Sequence, residues 1–357
     1  MVLTQFSQID IYPSSVAPTA MSSETIDFSV VICTYNGANR VPNVLRHLQQ
    51  QVDLDGLVWE ILVVDNNSTD HLIDVVGSFC QEWEGKLTLR YLSEPRQGAA
   101  YARQRAIRSA HGKLIGFLDD DNIPAPNWIA AAYRFGQAHP EVGAYGSRVY
   151  GQFEVAPPQE FQHLLPFFAL TQRGDVPLRY ERRRKVLPPG AGLVVRRQAW
   201  LDHVPQECIL AGPMGNLRIG GEDLEAVSHI QNSHWEVWYN PEMEVFHKIP
   251  ASRVTREYLL EFFRGIGLSR HVTRMLSCTP WQRPVWFLIY LANDSRRIVA
   301  HIFRYRTRLR ANLVAACEFQ MYVSSLISPF YIWKTQLLKS LSIQTPETNS
   351  GSEEAIG

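Results

Sequence analysis

At 357 residues the chain is too long for one small module, and at about 150 residues per domain it suggests roughly two. Its composition, 45% hydrophobic, 11% aromatic and 20% charged, excludes a disordered or low-complexity chain. Thirty-five basic residues cancel thirty-five acidic ones, so no global field directs the chain to nucleic acid. The cancellation hides an asymmetry: between positions 251 and 310, twelve arginines face three acids (Glu257, Glu261, Asp294), a local excess of +9. Five cysteines lie far apart, with no CxxC pair, which excludes a disulfide framework or a zinc cluster and fits reduced, intracellular thiols. Residues 1–27 are rich in Ser, Thr and Pro and lack a basic segment followed by an apolar one. They read as poorly ordered, without a secretory signal, which implies a protein working on the cytoplasmic side of any membrane it serves.

Residues 28–33 (FSVVIC) are an apolar run rich in β-branched side chains and predict a buried strand. Val41, Leu45 and Leu48 then recur at helical spacing. Residues 59–64 (WEILVV) predict a second strand stopping at Asp65, and Ser68 or Thr69 can cap a helix reaching Phe79. A third strand over 87–92, an alanine- and arginine-rich helix over 99–110 and a fourth strand over 113–118 follow. Alternation of this kind predicts an α/β fold with a parallel sheet and right-handed crossovers, whose ligand crevice lies beyond the carboxyl ends of the strands.

The residues in that position are Thr34-Tyr35-Asn36, Asp65-Asn66-Asn67, Ser93-Glu94-Pro95 and Asp119-Asp120-Asp121. Loops are polar anyway, which explains any one group but not three consecutive aspartates. Adjacent carboxylates repel and raise one another's pKa unless a cation intervenes, and a divalent metal is the simplest such cation.

Residues 150–186 carry prolines, aromatics and the basic run 182–185, and read as irregular; residues 193–195 predict another strand. Gly190-Ala191-Gly192 lacks a third glycine and precedes its strand, so it is not a dinucleotide fingerprint. Gly220-Gly221-Glu222-Asp223 opens a helix with acids in its first turn. Further on, residues 284–292 are too short an apolar stretch to span a bilayer. Residues 313–333 are about long enough but are interrupted by Glu318, Gln320 and Pro329. An amphipathic surface helix beside basic residues would suit anionic lipid, and a helical subdomain packed on the core is the plainer alternative. From Gln344 the sequence reads as a disordered tail.

The strings VVICTYNGANRV, VVDNNSTD, SEPRQGAAYARQRAI, IGFLDDDNIP and GEDLE, in that order, resemble the inverting nucleotide-sugar glycosyltransferases of family 2, over roughly residues 28–250. The segment GLVVRRQAW is similar to the strand that precedes the acceptor region in that family. The arginine-rich C-terminal third is similar to that of cyanobacterial enzymes of hormogonium polysaccharide synthesis. The resemblance implies the fold termed GT-A, a Rossmann-like, mostly parallel central sheet flanked by helices, here with an α-helical C-terminal extension. It divides the chain into a disordered segment (1–27), the GT-A domain (28–250), a helical, arginine-rich region (251–343) and a disordered tail (344–357).

It also implies roles. Thr34, Tyr35 and Asn36 would line the nucleobase pocket, Tyr35 offering a stacking face. Asp65 would accept a ring N–H of the base, although an Asx turn is as natural a use for it. Gly98 would permit close backbone approach, and Arg103 would reach the base or the phosphates. Asp119 and Asp121 would form the DxD element, Asp119 on the ribose or a metal-bound water and Asp121 on the metal; Asp120 between them would also face the nucleotide sugar. The outer pair is preferred because that spacing puts two side chains on one face of an extended segment. Hard oxygen ligands imply Mn2+ or Mg2+, with His247 as a further metal or phosphate ligand. Asp223 would be the catalytic base that takes the acceptor hydroxyl's proton, with Glu222 orienting the acceptor or its loop.

Gln231-Asn232-Ser233-His234-Trp235 approximates the QxxRW signature of processive synthases, but with histidine for arginine and only eight residues after Asp223. That departure predicts transfer of a single sugar. The donor expected by default is a UDP-sugar, with GDP as the alternative nucleotide, and the acceptor a glycan or lipid-linked glycan. Peripheral contact with the inner face of the membrane through the basic C-terminal third is expected, and nucleic acid is not. A nucleotidylyltransferase would need a glycine-rich basic loop after the first strand, and a non-catalytic nucleotide-sugar scaffold would not need Asp223.

Overall fold

The computed structural model describes residues 10–11, 25–212 and 219–344. The alternating units form as the apolar periodicity dictates: β1 (Asp10–Ile11), β2 (Phe28–Thr34), α1 (Val41–Gln49), β3 (Trp59–Asp65), α2 (Leu72–Glu82), β4 (Thr88–Ser93), α3 (Ala99–Ser109) and β5 (Leu114–Asp119). They are followed by β6 (Asn122–Pro124), α4 (Trp128–Ala138), β7 (Val142–Phe153), β8 (Leu178–Arg179), β9 (Leu193–Arg196), α5 (Arg197–His203), α6 (Glu222–Gln231) and β10 (Glu236–Ile249). Three helices close the described chain: α7 (Arg256–Leu276), α8 (Arg283–Tyr305) and α9 (Leu313–Gln344).

One sheet runs in the order β1-β4-β3-β2-β5-β9-β7-β10-β6, with β8 on β10. Its first half, β4-β3-β2-β5, is parallel as expected. Beyond it β9 runs antiparallel to both β5 and β7, and β7 and β10 are parallel to each other. Successive side chains of a strand point to opposite faces, so Val30, Ile32, Ile61 and Val63 pack under α1, α2 and α4, while Val31, Leu62 and Val64 pack under α3, α5 and α6. Each such side chain contributes about 1.5–3 kcal/mol on burial, and this two-faced core holds the strand ends at fixed positions.

Three expectations need adjustment. The helix α2 starts at Leu72, without a cap from Ser68 or Thr69. Those two residues instead bind Asn36, because the strand-end loops satisfy one another's polar groups. Asp10–Ile11, within the segment expected to be poorly ordered, pairs with β4 as an antiparallel edge strand; most of 1–27, and the tail beyond Gln344, lie outside the described residues. The irregular middle carries a 3-10 segment, Gln159–Phe168, whose Phe161, Leu164 and Phe168 pack with Ile249, Leu259, Phe263 and Met321. That cluster joins the helical region to the sheet. Lys185 makes a second junction: its ammonium lies 4.5 Å from the Trp286 ring centre and donates to the Tyr290 hydroxyl at 2.5 Å, both on α8.

Candidate active site

Sheet register brings the predicted residues to one edge: Thr34 lies beside Asp65, Asp65 beside Ser93 and Cys33 beside Asp119. Polar side chains then stitch the loops together. Asn36, held at φ +50°, receives the Thr69 N–H on its Oδ1 at 2.8 Å, while its own N–H donates to Ser68 Oγ at 2.8 Å. Asn66 donates to the Arg96 carbonyl at 2.7 Å and accepts from Gly98 N–H at 2.7 Å. Gly98 has φ +137°, and a Cβ there would lie 2.7 Å from the Ala211 carbonyl oxygen, so its close approach is to that backbone. Asp65 is 7% exposed. Its Oδ1 accepts from Ser68 N–H at 2.8 Å, the Asx turn, and its Oδ2 accepts from the Tyr91 hydroxyl. Tyr35, in contrast, is 45% exposed and free to offer a ring face.

The three aspartates diverge. Asp120 takes a two-point ion pair from Arg40, Nε at 2.9 Å and Nη2 at 2.8 Å, and a hydrogen bond from the Thr34 hydroxyl. A Cβ on Gly37 would fall 1.9 Å from Thr34 Oγ1, so only glycine admits this packing. Asp119 Oδ1 lies 3.5 Å from Arg103 Nη2. Asp121 lies against His247 and Arg253: Arg253 Nη2 is 2.9 Å, and His247 Nε2 3.5 Å, from Asp121 Oδ2. The β10–β6 ladder, which pairs His247 with Asn122, delivers the histidine there.

Asp119, Asp121 and His247 therefore do not gather into one ligand set. The chain turns at Asp120–Asp121, so the extended alternation expected of the outer pair is broken. Among the described residues no three potential protein ligands converge. Asp121 and His247 do fit a hard divalent ion whose remaining positions come from outside the protein. The His247 Nδ1–H donates to the Phe168 carbonyl at 2.9 Å, which leaves Nε2 on the Asp121 side; Asp121 favours a proton on it, which the ring would give up to bind an ion. Burial alone would raise Asp121, but His247 and Arg253 hold its carboxyl down at about 2. Asp119 is pushed up to about 6, by desolvation first and by repulsion from Asp121, against the attraction of Arg103.

Arg103 sits at the centre. It is 5% exposed and turned inward, and its Nη1 donates to Glu222 Oε1 at 2.6 Å. Glu222, likewise buried and raised by desolvation, is thereby committed to this pair. Its neighbour Asp223 is partly exposed. Gly190 N–H donates to Asp223 Oδ2 at 2.5 Å, and a Cβ on Gly190 would meet Arg103 Nη2 at 2.9 Å and Asp223 Oδ2 at 3.1 Å. Asp119, Arg103, Glu222, Gly190 and Asp223 thus form one contiguous array. Burial pushes the Cys33 thiol in this array up to about 12, so it stays protonated and is no nucleophile. Arg40, Gly190 and Arg253 escaped the sequence reading: Arg40 lies inside the first quoted string, while nothing in the spacing marks Arg253. Trp235 of the approximate QxxRW string packs on β7, where a Cβ on Gly143 would meet it at 2.6 Å.

Residues 29–198 match the protein-family model described as Glycosyl transferase family 2. The uncharacterized glycosyltransferase YfnE of Bacillus subtilis (strain 168) is 35% identical over 103 residues, 29% of this chain and 25% of that protein. The Escherichia coli protein WfgD, a UDP-Glc:alpha-D-GlcNAc-diphosphoundecaprenol beta-1,3-glucosyltransferase, is 32% identical over 102 residues, 29% of this chain and 36% of that protein. The matches span only about a quarter to a third of these relatives' length. The mannosyltransferase PcManGT from Pyrobaculum calidifontis, solved with GDP-Man and Mn2+, superimposes with a TM-score of 0.52 at 19% identity, covering 90% of this chain and 89% of that one. It shares the fold.

Proposed function

We propose that this chain, in which residues 29–198 form a glycosyl transferase family 2 domain, transfers a single sugar, with inversion, from a nucleotide-diphosphate sugar to a glycan or lipid-linked acceptor in polysaccharide biosynthesis. A UDP-sugar is the first donor to test. The contiguity of the Asp119–Arg103–Glu222 chain with Asp223 carries the reading. It joins the strand-end acids, suited to the donor, to a partly exposed carboxylate suited to the acceptor.

In this reading Tyr35 stacks on the nucleobase, with Thr34, Asn36 and the Asp65 loop shaping the pocket's edge. Asp119 faces the ribose, while Asp120 acts through Arg40 and Thr34. Asp121 and His247 would hold Mn2+ or Mg2+, which when bound supplies Lewis-acid stabilisation of charge on the departing diphosphate. Asp223 accepts the acceptor hydroxyl's proton as that oxygen attacks the anomeric carbon and the bond to the diphosphate oxygen breaks on the opposite face. Gly190 N–H fixes the carboxylate that receives the proton. Arg103 and Glu222 position Asp223 and Asp119 from within the protein. The similarity to hormogonium polysaccharide enzymes rests on the C-terminal third, outside the matched domain.

The test is a donor screen by calorimetry and by nucleoside diphosphate release, with Mn2+ and with chelator. Metal-dependent donor binding and diphosphate release with an acceptor support the reading. Pyrophosphate release would mark a nucleotidylyltransferase, and tight donor binding without turnover a scaffold; either overturns it.

A further inference from the structure

Helix α8 is built inside out, and α9 is apolar outside while its inner side mixes Val314, Cys317 and Met321 with three serines. On α8 the residues turned into the protein include Asp294 and His301, while Val285, Leu288, Ile289, Val299, Ile302 and Phe303 are 44–69% exposed. On α9, Ser324, Ser325 and Ser328 are buried and Ile327, Phe330 and Trp333 face outward. The inner polar groups are satisfied: Asp294 takes Arg274 Nη2 at 3.0 Å and the Ser325 hydroxyl at 2.9 Å, and a His301 ring nitrogen lies 2.8 Å from the Ala315 carbonyl. Small residues let α7 and α9 approach, since a Cβ on Gly267 would meet Ser324 Cβ at 2.5 Å. A helix on a water-facing surface shows the reverse pattern. Polar groups paired inside, small residues at the helix contact and apolar side chains outside are how helices pack beside lipid.

The two outward faces are continuous, because Phe287 of α8 stacks on Trp333 of α9 at 6.3 Å, and Trp333 meets Phe330 at 5.9 Å. Beside them the turn from α8 to α9 presents Arg304, Arg306, Arg308 and Arg310, all exposed, with no acid between positions 295 and 317. We propose that this helix pair docks on an anionic lipid bilayer, with its apolar face at the boundary between headgroups and acyl chains and the arginine turn on the headgroup phosphates. The stretch Leu313–Leu337 is long and apolar enough to cross a membrane, but half of it is buried within the protein. In α8, Asp294, Arg296 and Arg297 fall mid-helix, so the pair lies in the interface.

Flotation of the full chain with vesicles tests this, using phosphatidylcholine alone or in equal parts with phosphatidylglycerol. The chain floats with the anionic vesicles, and salt weakens the binding. Neutralising Arg304, Arg306, Arg308 and Arg310 to Gln lowers partitioning by about fivefold for each arginine removed. The Leu288→Gln/Phe303→Gln variant, altered only at exposed positions and checked by circular dichroism, floats less with both vesicle types. Failure to float at low salt overturns the proposal, as does unchanged flotation of the Leu288→Gln/Phe303→Gln variant. So does a concentration-dependent dimer that this variant abolishes, or retention in the membrane after carbonate extraction. Donor binding is read separately and stays unchanged in both variants.

Discussion

The guanidinium of Arg253 bridges Asp121 and His247: Nη2 lies 2.9 Å from the Asp121 carboxylate and Nη1 3.1 Å from His247 Nε2. A positive charge from the protein therefore occupies the side where a metal ion would be held. In the proposed reaction Arg253 would compete with the ion before the donor arrives and be a cation for the diphosphate afterwards. Arg253→Ala should tighten Mn2+ binding to the nucleotide-free protein by about tenfold or more and weaken Mn2+ binding with UDP present, since a charge-assisted hydrogen bond contributes about 1.5–3 kcal/mol. Titration of free Mn2+ by electron paramagnetic resonance, with and without UDP, reads both arms. Equal changes in the two would remove the competition.

Asp223→Asn keeps the side-chain volume and the acceptor oxygen for Gly190 N–H but loses the basic site. Donor affinity should stay within about twofold, while transfer falls by about a hundred- to ten-thousand-fold, the usual contribution of a general base. Nucleoside diphosphate release beside calorimetric donor binding checks it, and undiminished turnover would assign the proton to another group.

Asp119 and Asp121 titrate far apart, at about 6 and about 2. In the proposed reaction the ionised form of Asp119 would accept from the ribose hydroxyls, so its protonation would weaken donor binding. Against the effect of burial, Asp121 raises the His247 pKa above the ordinary histidine value, and the ring must also lose its proton to bind an ion. The apparent affinity should therefore already fall as pH drops through neutrality and steepen below about pH 6. Asp119→Asn should remove the steeper acid limb and leave the shallower fall. An acid limb unchanged in that variant would trace it to another group.

Removing one partner of the buried Arg103–Glu222 pair leaves an uncompensated charge. Arg103→Met should cost about 3–5 kcal/mol in denaturant unfolding. The double variant Arg103→Met/Glu222→Leu should recover most of that loss, because its two buried charges disappear together. A double variant no more stable than the single one would show that Asp119 and Asp223, not Glu222, are what Arg103 compensates.

The parallel half of the sheet was legible because three of its four strands are largely apolar runs ending at Thr34, Asp65 or Asp119, with β4, which carries Arg90 and ends at Ser93, marked by its spacing between helices. β7 and β10 were not. β7 carries Gly143, Gly146 and Gly151, where any Cβ would collide with Trp235, Pro188 or Phe153, so its requirement for close packing erases the strand pattern. β10 bends through Asn240 to Glu244, where its register with β7 shifts. Of the site, the residue types at the strand ends were readable, but their orientations were not. Nothing local shows that Asp120 belongs to Arg40, or that the turn after Asp119 points Asp121 toward a strand formed much later in the chain.

That late strand has a consequence in time. The family match ends at residue 198, yet β10, from Glu236 to Ile249, lies inside the sheet between β7 and β6 and carries His247. A ribosome that has released only the matched segment has made a sheet that stops at β7, with β6 left unpaired and neither His247 nor Asp223 yet in place. In the proposed reaction the nucleotide-facing loops and the acceptor-facing acid would be joined only when this last strand slots home, so docking of β10 would be the folding step that completes the site.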